Sequence, residues 1–583
     1  MDVASWLLVI GWVLCPLWVL FVILTNRHVH PKVLFFLFMT ELWERFSYYG
    51  MRAFLVLYLY RQTYTGAFGM KKDTGEFGDF DESAYGIYAA YGALVYLTPL
   101  AGGFLADRLL GFRKSIIWGA ILMATAQFTL SFSTGDQPLA VSSVPAVNAL
   151  AGVPGETALS ITTPAMGSKT LLYVGLGLLV IGNGFFKPNI SSLIGKFYGP
   201  GDPRRDGAFT IFYMGINIGA FLAPLTCGAI AEQVGWNYGF LLAGIGMVIG
   251  LLIFLYTSSQ GYLEHYADPP GSAPDPAVLP AQPADQSAEA AAAADLGNGG
   301  GQSNGGPRGG LLVYLGTFLL LPVVVMLIRW NDVLDFILAV VGLSAIAYML
   351  YLSSQYTVAE RQRIWVIVVL LFFTSIFWGL FELAGSALNV FTDQYVDKTF
   401  SGTFSEPLPT SAFQAVNAFF IMVFAPIFAW MWVRLAKSGV EPAAPFKFVF
   451  GLLFLGAGFL VLNLGRGAAS AAMMPAIFMI LLYLLHTLGE LSLSPVGLSL
   501  VTKLAPAKMV GFMMGFWFLS SAIGIQSGKW ISSATVPPKG LSPQQSMEHA
   551  LKVFNYVGFF AIGSAVLLLL LAPRLTKWMH GVR

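Results

Sequence analysis

Charged residues are scarce in this chain of 583 residues. Asp, Glu, Lys and Arg together make up only 11% of the sequence, whereas 56% of it is hydrophobic and the mean hydropathy is +0.70. Soluble globular proteins carry about 25% charged residues, so this composition does not suit one water-soluble core. The sequence therefore predicts an all-α polytopic membrane protein. The formal net charge of +2 gives no basis for binding nucleic acid.

Cysteine and histidine are also scarce, which excludes several kinds of site. The two cysteines, Cys15 and Cys227, both lie in apolar segments, so we expect neither a disulfide framework nor a cysteine metal site. The six histidines form no H-E-x-x-H motif, and no G-x-x-x-x-G-K-[ST] run is present. We therefore expect no enzymatic activity, no bound metal and no ATP site.

Long apolar runs are what the sequence has in abundance. A transmembrane helix needs about 20 mostly apolar residues. Fifteen such runs are separated by polar breaks. The predicted spans are 5–25, 33–60, 86–105, 115–132, 170–197, 208–228, 236–257, 311–330, 334–353, 364–390, 411–434, 446–464, 474–499, 509–532 and 553–573.

Basic residues occur in alternate loops between these spans. One such loop carries Arg108, Arg113 and Lys114, whereas the 133–168 stretch has no Lys or Arg. The positive-inside rule then predicts that the N-terminus is outside the cell and the C-terminus is cytoplasmic. Residues 5–25 have a signal peptide as an alternative interpretation, but no positive charge precedes them, which favours a retained helix.

Twelve of the fifteen spans form two groups of six; the other three are the first span and the pair 311–330 and 334–353. A stretch rich in Pro, Ala, Gly and Gln lies between the two groups and is typical of a flexible linker. Two bundles of six helices are typical of transporters whose binding site lies between the halves. The predicted domains are an extra N-terminal helix with a short cytoplasmic segment (1–32), an N-terminal six-helix bundle (33–257), a cytoplasmic linker (258–310), an inserted helix pair (311–353) and a C-terminal six-helix bundle with a tail (354–583).

The second span carries a stripe of polar side chains in the segment "ELWERFSYYGMR". At 100° per residue the stripe occupies an arc of about 120–140° on one helix face. Its members are Glu41, Glu44, Arg45, Tyr48, Tyr49 and Arg52. An ionised side chain facing lipid costs roughly 2.5–3.5 kcal/mol, so the stripe must face protein or a watery cavity. A carboxylate beside an arginine can exchange a proton for an ion pair; the alternative is a structural ion-pair network.

Isolated polar residues interrupt several other apolar spans. They are Lys187, Asn217, Glu382, Asn417 and Glu490. Arg and Lys bind carboxylates and a Glu can bind an ammonium group, so Arg52, Lys187 and Glu490 around one cavity would suit a zwitterion such as a short peptide. Asn217 and Asn417 can pair with a peptide bond, or they can be hydrogen-bonding residues between packed helices.

At this point the chain resembles the bacterial proton-coupled oligopeptide transporters of the major facilitator superfamily. The resemblance covers His30 to about Pro573 and rests on five stretches in the family's order. They are "ELWERFSYYGMRAFLVLYL", "YLTPLAGGFLADRLLGFRKSI", "GNGFFKPNISSLIGKFY", "FYMGINIGAFLAP" and "GELSLSPVGLSLVTKLAP". It implies the major facilitator fold, with two six-helix bundles, two inserted helices and, in this chain, one extra N-terminal helix.

The resemblance also implies a function and a role for each site residue. It implies a symporter that imports di- and tripeptides with protons by alternating access, works as a monomer in the bacterial inner membrane and needs no cofactor besides the proton. Glu41, Glu44, Arg45 and Glu382 would couple protons, and Arg52 would also pair with Glu382 as an extracellular gate. The substrate site would comprise Arg52, Tyr48, Tyr49, Tyr96, Lys187, Asn217, Trp378, Asn417, Glu490, Trp517 and Ser521, with Glu490 binding the peptide ammonium or pairing with Lys187.

Three other functions remain as alternatives. One is a symporter for another anion or zwitterion, such as nitrate or a modified amino acid, although nitrate would have no need of Glu490. A peptide sensor would have no need of a proton-coupling cluster. An intramembrane enzyme is disfavoured by the scarcity of histidine. His486, four residues before Glu490 on the same helix face, is interpreted as structural.

Overall fold

The structure is a computed structural model that describes residues 3–65, 84–134, 168–199, 202–268, 307–400, 402–469, 472–506 and 509–582. These ranges are almost entirely helical. Eleven helical segments within them are long and apolar enough to cross a membrane. The prediction of an all-α polytopic membrane protein is confirmed. Most of the 133–168 loop and of the linker lies outside the described residues.

A long helix lies at each of the fifteen predicted positions. In chain order they are α1 (Val3–Asn26), α2 (Lys32–Thr65), α3 (Ala84–Leu105), α4 (Gly111–Ser133), α5 (Lys169–Lys196), α6 (Arg205–Ala223), α7 (Trp236–Ser259), α8 (Pro307–Arg329), α9 (Asn331–Ser353), α10 (Val358–Phe381), α11 (Ala415–Lys437), α12 (Ala444–Ala468), α13 (Ile477–Leu504), α14 (Val510–Ala534) and α15 (Pro543–Trp578).

Local sequence fixes where some of these helices begin. At the start of α10, Thr357 accepts a hydrogen bond from the backbone N–H of Glu360, whose carboxylate accepts one from the Thr357 N–H. Ser542 and Gln545 form the same reciprocal cap before α15. Each cap satisfies backbone donors that have no partner within the helix.

Several predicted spans differ from the structure; α15, for example, begins at Pro543, ten residues before the predicted span 553–573. The span 364–390 is not one continuous helix, because a 3₁₀ turn at Glu382–Gly385 separates α10 from a short helix, Ala387–Tyr395. The span 474–499 begins too early, because Met474–Pro475 pairs in parallel with Val396–Asp397 and the helix starts only at Ile477. Pairings between distant segments leave no signal in a local apolar run.

The helices pack into two groups that touch along two seams. In the first group, α2 packs on α6 and α7, while α3 and α4 pack on α5. In the second group, α12 packs on α13 and α15, and α10 packs on α14. The seams are α3 against α14 and α6 against α11. This arrangement agrees with two six-helix bundles. The residue boundaries given above for the domains stay a prediction.

The inserted pair bridges the two groups. Helix α8 lies on α3 and α5, and Trp118 of α4 donates a hydrogen bond to Thr317 of α8 at 3.2 Å. Helix α9 lies on α10 and α14 of the other group. The extra helix α1 packs on α6, and its Trp12 donates to Thr226, just beyond the end of α6, at 3.0 Å.

Polar contacts join the two groups at one end of the molecule, where α2 and the Ala387–Tyr395 helix end. Arg61 lies 2.9 Å from Asp393, and the Asn389 amide donates to the backbone carbonyl of Ala53 at 2.8 Å. The Glu232 carboxylate accepts from the backbone N–H groups of Thr410 and Ser411. We call this the Arg61 end, and these contacts hold the two groups together there.

Candidate functional site

The polar stripe on α2 contains a compact cluster of two carboxylates and one guanidinium. Arg45 Nε lies 2.7 Å from Glu41 Oε1 and 2.9 Å from Glu44 Oε2. All three side chains are buried, and that of Glu44 is 0% exposed. Among the described residues, no hydrogen-bond donor reaches Glu44 Oε1. Two buried carboxylates thus compete for one cation, and a buried charge without full compensation is unstable.

A second ion pair joins the two groups of helices. Arg52 of α2 contacts Glu382, the first residue of the 3₁₀ turn after α10. The Arg52 Nε also donates to the Tyr88 hydroxyl at 3.0 Å, and its guanidinium lies 5.9 Å from the centre of the Tyr49 ring. The structure therefore brings together Arg52 and Glu382, which the resemblance alone had paired.

Glycine allows this close approach. A Cβ atom at Gly385 would overlap the Tyr88 hydroxyl. The absence of a side chain at that position lets the 3₁₀ turn lie directly against α3, next to Tyr88 and Arg52. Sequence reasoning missed Tyr88, whose segment "YGIYAAYG" gave no signal beyond apolar spacing.

Glu490 belongs to a hydrogen-bonded group between α11 and α13. The Asn417 amide donates to Glu490 Oε2 at 3.1 Å and to Thr487 Oγ1 at 2.9 Å. Thr487 also escaped sequence reasoning. Its hydroxyl donates to the Tyr483 carbonyl one turn earlier, which fixes it as the acceptor that orients Asn417.

Lys187 lies apart from Glu490 in this structure. Its Nζ is 4.9 Å from the centre of the Tyr96 ring, in a cation–π contact between α5 and α3. Among the described residues, no carboxylate forms an ion pair with Lys187, so the Lys187–Glu490 pairing that the resemblance allows is not formed here. The ammonium and the carboxylate lie on helices of different groups.

The remaining predicted site residues bond or pack locally. Asn217 donates to the Tyr213 carbonyl at 2.9 Å within α6, and the Ser521 hydroxyl to the Trp517 carbonyl at 3.4 Å within α14. Trp378 makes edge contacts with Phe377 and Phe381, and the rings of Tyr48 and Tyr49 meet edge to face.

His486 is buried against Phe459 and Phe381, with ring centres 4.8 and 6.1 Å away. The interpretation of His486 as structural stays a prediction.

Proteins with a similar sequence or structure identify the family. The family model described as "POT family" matches residues 113–278 and 311–546. The "Peptide transporter YePEPT" of Yersinia enterocolitica is 33% identical over 506 residues, which cover 85% of this chain and 86% of that protein. The "Dipeptide and tripeptide permease B" of Aeromonas hydrophila is 29% identical, covering 94% of each chain.

Solved structures agree with this match. The crystal structure of the peptide transporter POT in complex with sulfate has 32% sequence identity and a TM-score of 0.69, and covers 95% of this chain and 96% of the other. A POT family transporter in complex with 5-aminolevulinic acid has 27% identity and also a TM-score of 0.69. The relatives are transporters, not enzymes, which confirms that expectation for this chain. The chain belongs to the POT family of multi-span membrane transporters.

Proposed function

We propose that this protein is a proton-coupled symporter that imports di- and tripeptides by alternating access. The names of its relatives support the substrate class. The observation that carries proton coupling is the buried cluster in which Glu41 and Glu44 compete for Arg45. The proton is the coupling ion, and no other cofactor takes part.

The proposed cycle breaks and re-forms the ion pair between Arg52 and Glu382. A proton first reaches Glu382 while the Arg61 end is closed, and a peptide enters once that end has opened. Protonation of Glu382 releases Arg52, which then attracts the peptide carboxylate together with Lys187. Glu490 attracts the peptide ammonium, so that the substrate links helices of the two groups. Glu382 then passes its proton to the α2 cluster, so that Arg52 can pair with the Glu382 carboxylate again; this closes the Arg61 end, and the opposite end opens.

The α2 cluster would carry the proton. A carboxylate that loses Arg45 takes up a proton more readily, and one that gains Arg45 releases it. A small shift of Arg45 between Glu41 and Glu44 therefore moves a proton along the helix. Both carboxylates lie within 3 Å of Arg45 Nε, so that the exchange needs little movement.

The proposed setting is the bacterial inner membrane, with the N-terminus outside and the C-terminus cytoplasmic. The Arg61 end would then be extracellular, and the basic loops would lie on the cytoplasmic side. We propose that the monomer is the working unit, with the lipid bilayer, peptides and protons as its partners and no role for nucleic acid.

Uptake into liposomes tests this function. The purified protein is reconstituted, an inward proton gradient is imposed and uptake of a labelled dipeptide is followed in the parent, in Glu44→Gln and in the surface control Glu548→Gln. We expect gradient-driven uptake in the parent and in the control. Glu44→Gln should lose it by about a hundredfold, the lower range for a positioned proton-transfer group, while peptide counterflow without a gradient survives.

Each other outcome has a definite meaning. Parent uptake that ignores the gradient would leave a facilitator and exclude the coupling mechanism. An absence of peptide uptake under any gradient would exclude the peptide assignment. Equal uptake by Glu44→Gln and the parent would move the proton path away from the α2 cluster.

A further inference from the structure

A charged cluster joins the inserted pair to α14. Lys529 Nζ lies 2.7 Å from Asp332 Oδ1, 2.6 Å from Asp335 Oδ2 and 2.8 Å from Asn331 Oδ1. Gln526 donates to the other oxygen of Asp335 at 2.7 Å. The Lys529 side chain is 2% exposed, whereas that of Asp332 is 45% exposed. The cluster thus runs from the surface of α9 into the protein.

A small cavity lies on the inner side of Lys529. Its volume is about 10 Å³, roughly the room that one water molecule needs. The polar residues of its lining are Tyr85, Tyr88, Glu382, Ser386, Lys529 and Ser532. The hydroxyls of Ser386 and Ser532 lie 3.1 Å apart. Lys529 therefore separates the partly exposed aspartates from a cavity that Glu382 also lines.

Glu382 lies behind the contacts that close the Arg61 end. Glu382 is 9% exposed and is paired with Arg52, and the contacts of Arg61, Asn389 and Glu232 join the two groups at that end. In the proposed cycle Glu382 must be protonated before the end opens. A proton from outside consequently needs a path that exists while the end is closed.

We propose that Asp332, Asp335 and Lys529 form a proton inlet that supplies Glu382 while the Arg61 end is closed. This inference rests on the proposed function. In the transfer, the Lys529 ammonium gives a proton to a water in the cavity, and that water protonates the Glu382 carboxylate. The neutral amine then takes a proton from Asp335 or Asp332 in its carboxylic acid form. One proton moves inward, and only N–H and O–H bonds change.

The surroundings of Lys529 suit a relay. The groups that face it are the two aspartates of α9, Glu382 across the cavity, the tyrosines Tyr85 and Tyr88 of α3, and the Trp530 ring at 4.9 Å. Lysine can lose its proton in a protein, whereas arginine cannot. Replacing Lys529 with arginine therefore distinguishes a proton relay from a purely structural ion pair.

The deciding experiment compares Lys529→Arg with Lys529→Gln in the liposome assay. Arginine keeps a cation for the aspartates but holds its proton. We expect Lys529→Arg to lower gradient-driven uptake at least about tenfold, below the usual contribution of a proton-transfer group, with counterflow unchanged. A structural role predicts that arginine rescues uptake and that only Lys529→Gln is defective, and that result would overturn the inference.

A second variant covers the case in which arginine does not fit. If Lys529→Arg also loses counterflow, Asp332→Asn combined with Asp335→Asn decides. If the inlet exists, this double variant should lose gradient-driven uptake and keep counterflow. Uptake equal to that of the parent would overturn the inlet, and so would an equal loss of uptake and counterflow. If uptake by the parent does not depend on the gradient, the proposed function and the inlet are both overturned. If uptake by the parent is driven by the gradient and Lys529→Arg takes up peptide equally well, only the inlet is overturned.

Discussion

Glu490 is the residue whose charge should decide which peptides are accepted. Its carboxylate is held by Asn417, and among the described residues it has no ion-pair partner. A ligand ammonium would therefore meet an oriented and uncompensated carboxylate. A hydrogen bond to a charged group contributes about 1.5–3 kcal/mol, and one factor of ten in affinity corresponds to about 1.4 kcal/mol.

We accordingly expect Glu490→Gln to weaken binding of a dipeptide with a free amino group by about ten- to a hundredfold. An N-acetylated dipeptide has no ammonium, so its weaker binding should change little. Inhibition of counterflow by the two peptides measures both values, with Glu548→Gln as the control. An equal loss for both peptides would indicate a general packing role for Glu490.

His30 offers a pH-dependent prediction at the loop between α1 and α2. Burial and the nearby Arg204 lower the pKa of its imidazole below the ordinary 6.5, while Nδ1 lies 3.0 Å from the Tyr198 hydroxyl. The unfolded chain thus binds this proton more tightly than the folded one. The contribution of His30 to stability is therefore present above pH 6.5 and falls as the pH decreases below it.

The melting temperature of the purified protein should reflect this loss between pH 7.5 and 5.5. His30→Gln cannot take up the proton, so its melting temperature should fall less steeply with acidification than that of the parent. The exposed neighbour His28 is the matched control, and His28→Gln should keep the parent slope. Parallel slopes for all three proteins would mean that His30 titrates normally.

At the scale of the helix, the sequence predicts what repeats locally. The charged stripe of α2 follows from a period of 3.6 residues along one segment of the chain. The break after α10 at Glu382 was not predicted, and the turn there lies against Tyr88, almost 300 positions away in the sequence. Arg52 and Glu382 were paired only through the resemblance.

The Lys529 cluster likewise depends on contacts between residues far apart in the sequence. Lys529 stands near the end of the predicted span 509–532, where a lysine commonly reaches out to the membrane surface. Asp332 and Asp335 stand at a predicted turn between spans and in the first turn of the next. Nothing local in the sequence indicates that these side chains meet, since almost 200 positions separate them.

The extra helix α1 should be dispensable for the transport cycle. It packs on α6 of the first group and, through Trp12, against Trp43 and Phe46 of α2. Its removal exposes apolar side chains to lipid, which costs little because lipid is itself apolar. The bond from Trp12 to Thr226 contributes about 0.6 kcal/mol, the average for such bonds in membranes.

We expect a chain that lacks residues 1–29 to keep gradient-driven uptake within about twofold of the parent, with a slightly lower melting temperature. The same liposome assay and a melting curve measure both. Loss of uptake with an unchanged melting temperature would instead give α1 a direct part in the cycle.

For the whole molecule, the inserted pair must move with one group of helices when the two groups rock. Its contact with α14 is ionic at Lys529, whereas its contact with α5 is apolar where Gly177 meets Leu321 and Val325. Apolar surfaces slide more easily than paired charges separate. The pair should therefore travel with α14 and slide over α5 in each cycle.

Two matched cross-links test this movement. A Cβ at Gly177 would lie 2.9 Å from Leu321 Cδ1, and a Cβ at Gly342 would lie 2.9 Å from Ile523 Cδ1. We expect a disulfide between cysteines at 177 and 321 to block uptake, because it ties α8 to α5, and reduction to restore it. A disulfide between cysteines at 342 and 523 should leave uptake intact, because α9 and α14 move together. The two native cysteines are buried, so the oxidised parent is the control. The opposite pattern would mean that the inserted pair travels with the first group and that the Lys529 ion pairs separate in every cycle.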